Sequence, residues 1–190
     1  MTTDQEHLKE IWAGRELIVG VSGGIAAYKA AELTSRLVQT GAQVSVVLTA
    51  AAKRFVQPTT FAALTARPVY DDLFAAAEFP EGVHIGLARR ASAVIVAPAT
   101  ADLLAKASLG LADDLLTTLL LATRGPFIAA PAMNSEMWQK PAVQRHITQL
   151  QHDGWHIVPP DSGWLSCRQT GPGRMADLPE ILNALRNALA

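Results

Sequence analysis

The sequence predicts an α/β domain in which a mostly parallel β-sheet is covered by helices on both faces, as a three-layer sandwich. Short apolar runs rich in β-branched residues alternate with longer stretches of helical periodicity. Most of these runs stop at glycine or proline. No linker, repeat or low-complexity tract breaks the order. The length of 190 residues suits a single domain over 1–190. At that size folding buries roughly 70% of the open chain's surface, so the core needs no disulfide or structural metal.

Residues 17–21 (LIVGV) are read as a buried strand running into the Ser22-Gly23-Gly24 turn. From Ile25, IAAYKAAELTSRLVQT keeps helical spacing and stops at Gly41, the residue type that most often follows a helix. Residues 44–48 (VSVVL) supply the next strand. Pro58 opens a helix through Leu64 that Pro68 breaks, and DDLFAAAEFPEGVH is read as a surface excursion. Residues 94–97 form a third strand closed by Pro98, followed by helical ADLLAKASLG and DDLLTTLLLAT. Residues 127–130 form a fourth strand closed by Pro131. Residues 135–152 are helical apart from Pro141, residues 155–158 are a fifth strand, and LPEILNALRNALA is a closing helix. Residues 1–14 are taken as an N-terminal extension. Residues 159–175 make a Gly/Pro loop too long to be a mere connection.

Composition narrows the function. Sixteen Lys plus Arg against 17 Asp plus Glu give a net charge of -1, with no basic block to follow a nucleic-acid backbone. No apolar run approaches the roughly 20 residues of a membrane span, and the polar, acidic N-terminus is not a signal peptide. The expected location is the cytoplasm, where a lone thiol, Cys167, stays reduced. The content of 49% hydrophobic and 17% charged residues predicts apolar surface that meets other subunits.

Ligands of parallel sheets bind beyond the carboxyl ends of the strands, so the residues there are the candidates. Ser22-Gly23-Gly24 at a helix start can offer N–H groups and a hydroxyl to an anion, or be a turn with no ligand. The loop lacks GxGxxG, the second strand ends in Leu48-Thr49-Ala50 rather than an acid, and GxxxxGK[ST] is absent. A phosphate monoester such as that of FMN fits better than a dinucleotide. Thr100 or Asp102 can cap a helix after Pro98. Asn134 carries donors and acceptors for a carboxylate or amide. Met137 and Trp138 follow one turn later and are equally readable as core. His84 is either a solvated or capping residue or an acid–base group near neutral pH. The spacing of His146, His152 and His156 makes no zinc site. Cys167, beside Arg168, is either an incidental thiol or a reactive one.

Taken together, SGGIAAYKA, HIGLARRAS, APATADLLAKASLGLADDLL, PAMNSEMW and SCRQTGPGRM stand in the order and spacing of the flavin-containing cysteine decarboxylases, which the chain resembles over roughly residues 15–185. The resemblance implies a Rossmann-like (flavodoxin-like) fold and FMN as cofactor. It also implies decarboxylation of 4'-phosphopantothenoylcysteine to 4'-phosphopantetheine in coenzyme A synthesis, through thioaldehyde and enethiol intermediates. It assigns FMN contacts to Ser22, Gly23, Gly24, Thr49, Thr100, Ala101, Asp102, Leu103 and Ala132. It assigns catalysis to His84 as base, Cys167 as proton donor and Asn134 as carboxylate holder. Met137 and Trp138 join Asn134 as the expected substrate contacts, and residues 159–175 become a substrate-covering flap.

The resemblance further implies a homotrimer or trimer-based dodecamer with flavin at the subunit interface. Bacterial relatives often fuse this domain to a ligase. Nothing follows Ala190, so the decarboxylase alone is expected. One departure is Ser166-Cys167-Arg168, where the family usually reads Ala-Cys-Gly. Two other readings share the fold: a decarboxylase acting on the C-terminal cysteine of a ribosomal peptide, and a non-catalytic regulatory subunit.

Overall fold

Val21 and Leu48, Ala99 and Pro131 end four neighbouring parallel strands on one edge of the sheet, and that edge organises the molecule. The structure is a computed structural model that describes residues 11–75 and 79–190. In chain order its sheet and helices are β1 (Glu16–Val21), α1 (Ala27–Gln39), β2 (Gln43–Leu48), α2 (Pro58–Thr65), β3 (Val69–Tyr70), α3 (Val83–Arg90) and β4 (Ala93–Ala99). There follow α4 (Ala101–Leu109), α5 (Leu115–Ala122), β5 (Phe127–Pro131), α6 (Ser135–Trp138), α7 (Pro141–His152) and β6 (His156–Ile157). A hairpin of β7 (Asp161–Trp164) and β8 (Thr170–Arg174) precedes α8 (Leu178–Leu189).

The six-stranded sheet has the order β3-β2-β1-β4-β5-β6, and every pairing in it is parallel. Without the two-residue edge strand β3, the other five run in the flavodoxin order, with a topological switch between β1 and β4. The α/β three-layer expectation holds. Alternation along the strands divides the core in two: Leu17, Val19 and Val21 join α1 and α8 on one face, while Ile18 and Val47 join α3, α4, α5 and α7 on the other. Gly20 faces that second layer where a Cβ would lie 2.6 Å from Leu116 Cδ1. The helix packs directly on the strand there because no side chain intervenes.

Local signals explain the helix limits. Ala27, Ala30, Leu33 and Leu37 bury one stripe of α1, which ends where Gly41 turns to φ 81°. Thr100 caps α4, Gly110 closes it at φ 68°, and Asp114 with Thr117 forms a capping box on α5.

Several boundaries differ from expectation. β4 does not stop at Pro98 but continues through a cis Ala97–Pro98 peptide to Ala99, with a register shift against β5. β5 likewise includes Pro131. The helix expected over 135–152 is two helices, because Lys140 precedes a proline and is extended at ψ 131°. β6 is shorter than the expected 155–158. Residues 159–175 hold an antiparallel hairpin rather than an irregular loop. Of the expected N-terminal extension, residues 1–10 lie outside the described residues, while Trp12 is fully buried in the core. The excursion over 71–84 includes residues 76–78, also outside the described set, and its end begins α3.

One half-buried ion pair lies at the edge of the sheet remote from the carboxyl ends of the strands. The Glu16 carboxylate accepts from Arg67 Nη1 at 2.7 Å and from Ser45 Oγ at 2.6 Å. The Arg67 side chain is 26% exposed and Glu16 keeps its bond from Ser45 Oγ, so Arg67→Ala is expected to cost about 1.5 kcal/mol in urea denaturation. A loss within experimental error would show that the pair contributes nothing to the fold.

Candidate functional site

The ends of β1, β2, β4 and β5 and the inner side of the hairpin enclose a cavity of about 1050 Å³. That is at the top of the roughly 300–1,000 Å³ range of small-molecule sites. Its walls include all the strand-end candidates: Ser22 to Gly24 after β1, Thr49 after β2, Thr100 to Leu103 after β4, and Ala132 and Asn134 after β5. Topology brings them together, since parallel strands end on one edge.

The Ser22-Gly23-Gly24 loop is fixed by its neighbours. Ser22 Oγ donates to Pro98 O at 2.7 Å and accepts from Thr100 N at 3.0 Å. Its hydroxyl therefore ties β1 to β4 instead of facing a ligand, so an anion here must be met by backbone N–H groups. A Cβ on Gly23 would collide with the Ala51 side chain, and one on Gly24 would lie 3.4 Å from Thr100 Cγ2. Only bare backbone fits at Gly23, whereas a Cβ at Gly24 would meet Thr100 in ordinary contact. Thr49 Oγ1 accepts from Ala52 N at 3.1 Å and caps the short turn that carries Ala51. Lys29, Lys106 and Arg174 face the same cavity as Asp102, Asp113 and Asp114, so the lining carries no excess of positive charge. Lys106 lies 2.9 Å from Asp113 and 3.4 Å from Asp102. The Asp113 carboxylate, outweighing the desolvation of the ammonium, holds the Lys106 pKa above its ordinary value, and Lys106 holds Asp113 below its own. Both stay charged.

The opposite wall holds the reactive candidates. Asn134 Oδ1 caps α6, accepting from Glu136 N at 2.7 Å and Met137 N at 3.4 Å. Its acceptor is spent there. The amide N–H groups remain, and Nδ2 donates to Cys167 Sγ at 3.4 Å. What Asn134 can still bind is therefore an acceptor such as a carboxylate. Cys167 is exposed at the tip of the hairpin, followed by Arg168 in the left-handed conformation at φ 63°. The root of the hairpin is locked over Asn134: Met133 N donates to Gly173 O at 2.9 Å, and Gly173, at φ 133°, has no room for a Cβ against Met133 O. Arg174 bonds Asp161 at 3.3 Å and Asp177 at 3.4 Å, closing the hairpin base.

Two expected site residues stand apart. His84 lies in the first turn of α3, with Nδ1 buried and without a partner among the described residues, and it does not line the cavity. Trp138 packs against the second core layer instead of facing the cavity, whereas Met137 does face it. The tryptophan at the cavity is Trp164 of β7, which sequence reasoning missed because a Gly/Pro-rich segment shows no strand alternation. Lys29, Lys106 and Arg174 were also missed. Helical spacing alone does not tell which lysine faces a strand end.

A protein-family model described as flavoprotein matches residues 5–190. The coenzyme A biosynthesis bifunctional protein CoaBC of Vibrio parahaemolyticus is 48% identical over 171 residues, which are 90% of this chain and 43% of that protein. The chain thus spans less than half the length of such curated relatives. Among solved structures, the FMN-dependent cysteine decarboxylase SpaF is similar with a TM-score of 0.82 and 36% identity, over 94% of this chain and 99% of SpaF. A mutant PPC decarboxylase complexed with pantothenoylaminoethenethiol is similar with a TM-score of 0.82 and 28% identity, over 92% of this chain and 97% of that one. With a family model matching nearly the whole length and a cavity built at the strand ends, the chain belongs to the flavoprotein family.

Proposed function

We propose that the chain is an FMN-dependent decarboxylase that converts 4'-phosphopantothenoylcysteine to 4'-phosphopantetheine in coenzyme A synthesis. One observation carries this reading: the Asn134 amide and the Cys167 thiol meet at 3.4 Å on one wall of the cavity, facing loops suited to a flavin phosphate. The residues present fit FMN. Gly23 and Gly24 leave bare backbone where a phosphate needs close approach, and the N-terminus of α4 points its free N–H groups and dipole into the same space. Ser22 through Gly24, Thr49, Thr100 through Leu103 and Ala132 would hold the cofactor. Sequence kinship to CoaBC of Vibrio parahaemolyticus and structural kinship to the PPC decarboxylase support the substrate.

Loss of CO2 from a cysteinyl carboxylate leaves an electron pair with no sink, and no side chain here supplies one. Bound FMN would supply it by accepting a hydride from the thiol-bearing carbon and returning it later, so the net reaction is redox-neutral. Asn134 Nδ2 holds the carboxylate during the interval. When the C–C bond breaks, its electron pair moves into the neighbouring thiocarbonyl and leaves an enethiol. Cys167 then gives a proton to the carbon next to the one that receives the returned hydride, and the saturated thiol results. His84 takes the substrate's thiol proton in the first half. Because His84 does not line its own cavity, it acts from a neighbouring copy, as in a homotrimer or trimer-based dodecamer. Ile25 and Tyr28, 58% and 62% exposed on the cavity wall, supply apolar surface for that apposition. Among the described residues no helix is long and apolar enough to cross a membrane, and coenzyme A synthesis from a reduced thiol suits the cytoplasm.

A second reading is decarboxylation of a peptide's C-terminal cysteine, which shares the chemistry of SpaF as an FMN-dependent cysteine decarboxylase. Flavin-loaded protein offered phosphopantothenoylcysteine or a peptide ending in cysteine separates the two by mass spectrometry. Loss of CO2 from the first alone is the expected result, and loss from the peptide alone would replace this reading. His84→Asn and Asn134→Ala are each expected to be inactive. Mixed oligomers of the two should recover activity, and no recovery would place His84 outside a shared site.

A further inference from the structure

We propose that Lys106 is a positioning residue for the cofactor: it offsets the carboxylates carried by α4 and the loop into α5, so that a phosphate dianion can settle at the N-terminus of α4. The proposal rests on reading the cavity as an FMN site. Residues 101–114 bring three carboxylates to the cavity, Asp102, Asp113 and Asp114, and one cation, Lys106. Asp102 stands in the first turn of α4, so its charge and a bound phosphate compete for one positive helix pole. The other cations on the lining are committed at the hairpin base. Lys29 lies 3.5 Å from Asp177, and Arg174 bonds Asp161 and Asp177.

The three acids are not equivalent. Asp114 is spent on capping α5, accepting from Thr117 N at 2.8 Å and Thr117 Oγ1 at 2.7 Å. Asp102 and Asp113 share the Lys106 ammonium, at 3.4 Å and 2.9 Å, and its side chain is only 24% exposed. A clip between α4 and the loop into α5 needs Asp113 alone. The reach back to Asp102 ties the same ammonium to the turn whose N–H groups face the phosphate. Without Lys106 a dianion would meet both carboxylates uncompensated, and unit charges a few ångström apart at a protein surface repel appreciably. The flavin ring and ribityl chain carry no such charge, so the effect belongs to the phosphate.

The test titrates the full-length chain, freed of flavin, with FMN and with riboflavin, which lacks the phosphate, and follows fluorescence at low salt. Lys106→Met is expected to weaken FMN about tenfold and riboflavin by less than about twofold. Lys106→Arg should stay within about twofold of wild type for both. Adding Asp102→Asn to Lys106→Met should recover most of the FMN affinity, because one of the two carboxylates is gone. Asp102→Asn alone should tighten FMN and leave riboflavin unchanged, which tests the same repulsion with Lys106 in place. In 1 M salt, where the Debye length is about 3 Å, the FMN difference between wild type and Lys106→Met should shrink. Equal losses for both flavins, no loss for FMN, a loss that salt does not reduce, or no recovery with Asp102→Asn would overturn the proposal. Equal losses with a lowered melting temperature would mark Lys106 as a structural clip. A wild-type chain that binds neither flavin defeats the FMN reading and this inference with it, whereas one that binds FMN as tightly as Lys106→Met does defeats the role of Lys106 alone.

Discussion

Gly23→Ala is expected to give a folded, colourless protein. The added methyl has nowhere to go, because the Ala51 side chain already occupies its position and the Thr49 cap fixes the turn that carries Ala51. Relief requires the loop after β1 to retreat, which withdraws the backbone N–H groups meant for the phosphate. Losing two or three charge-assisted hydrogen bonds raises the dissociation constant of FMN by at least about a hundredfold, or about 3 kcal/mol. Fluorescence titration with FMN measures this, with circular dichroism to verify the fold. Unchanged affinity would mean that the phosphate does not sit on this loop.

The second large effect concerns the product rather than the rate. Cys167→Ser keeps Asn134 and the cofactor loops intact, so with oxygen excluded one CO2 per flavin should be released, at a rate within a few-fold of the wild-type first turnover. A hydroxyl is a far weaker acid than a thiol, and a positioned proton donor contributes about 10²–10⁴-fold. The saturated thiol should therefore fall at least about a hundredfold while the enethiol accumulates and the flavin absorbance stays bleached. Mass spectrometry of the product reads this directly. Normal yield of saturated thiol from Cys167→Ser would remove Cys167 from the proton-donor role.

Much of this arrangement is legible in the sequence where a residue type has one physical use. Gly41 and Gly110 mark helix ends because a left-handed residue is needed there, and the parallel order follows from alternating runs. The strand-end candidates converge because parallel strands deliver them to one edge. What is not legible depends on tertiary neighbours. Pro98 reads as a strand stop, yet β4 passes through it. The hydroxyl of Ser22 reads as an anion donor until Pro98 O takes it. Trp138 follows PAMN and Trp164 sits in an unpatterned Gly/Pro segment, and only packing shows that the first lies against the core and the second lines the cavity. The hairpin is hidden because Gly163, Gly171 and Gly173 are kept for close contacts with Arg174, Ser135 and Met133 rather than for strand propensity. His84 is legible as a histidine at a helix start, but that it lies outside the cavity of its own copy is not.

In the proposed function this cavity decarboxylates an acylated cysteine with flavin as a transient electron acceptor. The most direct measurement is the stoichiometry of CO2 and saturated thiol released from carboxyl-labelled phosphopantothenoylcysteine, with oxygen excluded, by flavin-loaded and flavin-free protein. Loaded protein is expected to release equal amounts of labelled CO2 and 4'-phosphopantetheine over many turnovers, with no external oxidant consumed, and flavin-free protein none. Release of CO2 without flavin, or no release from fully loaded protein, would contradict it.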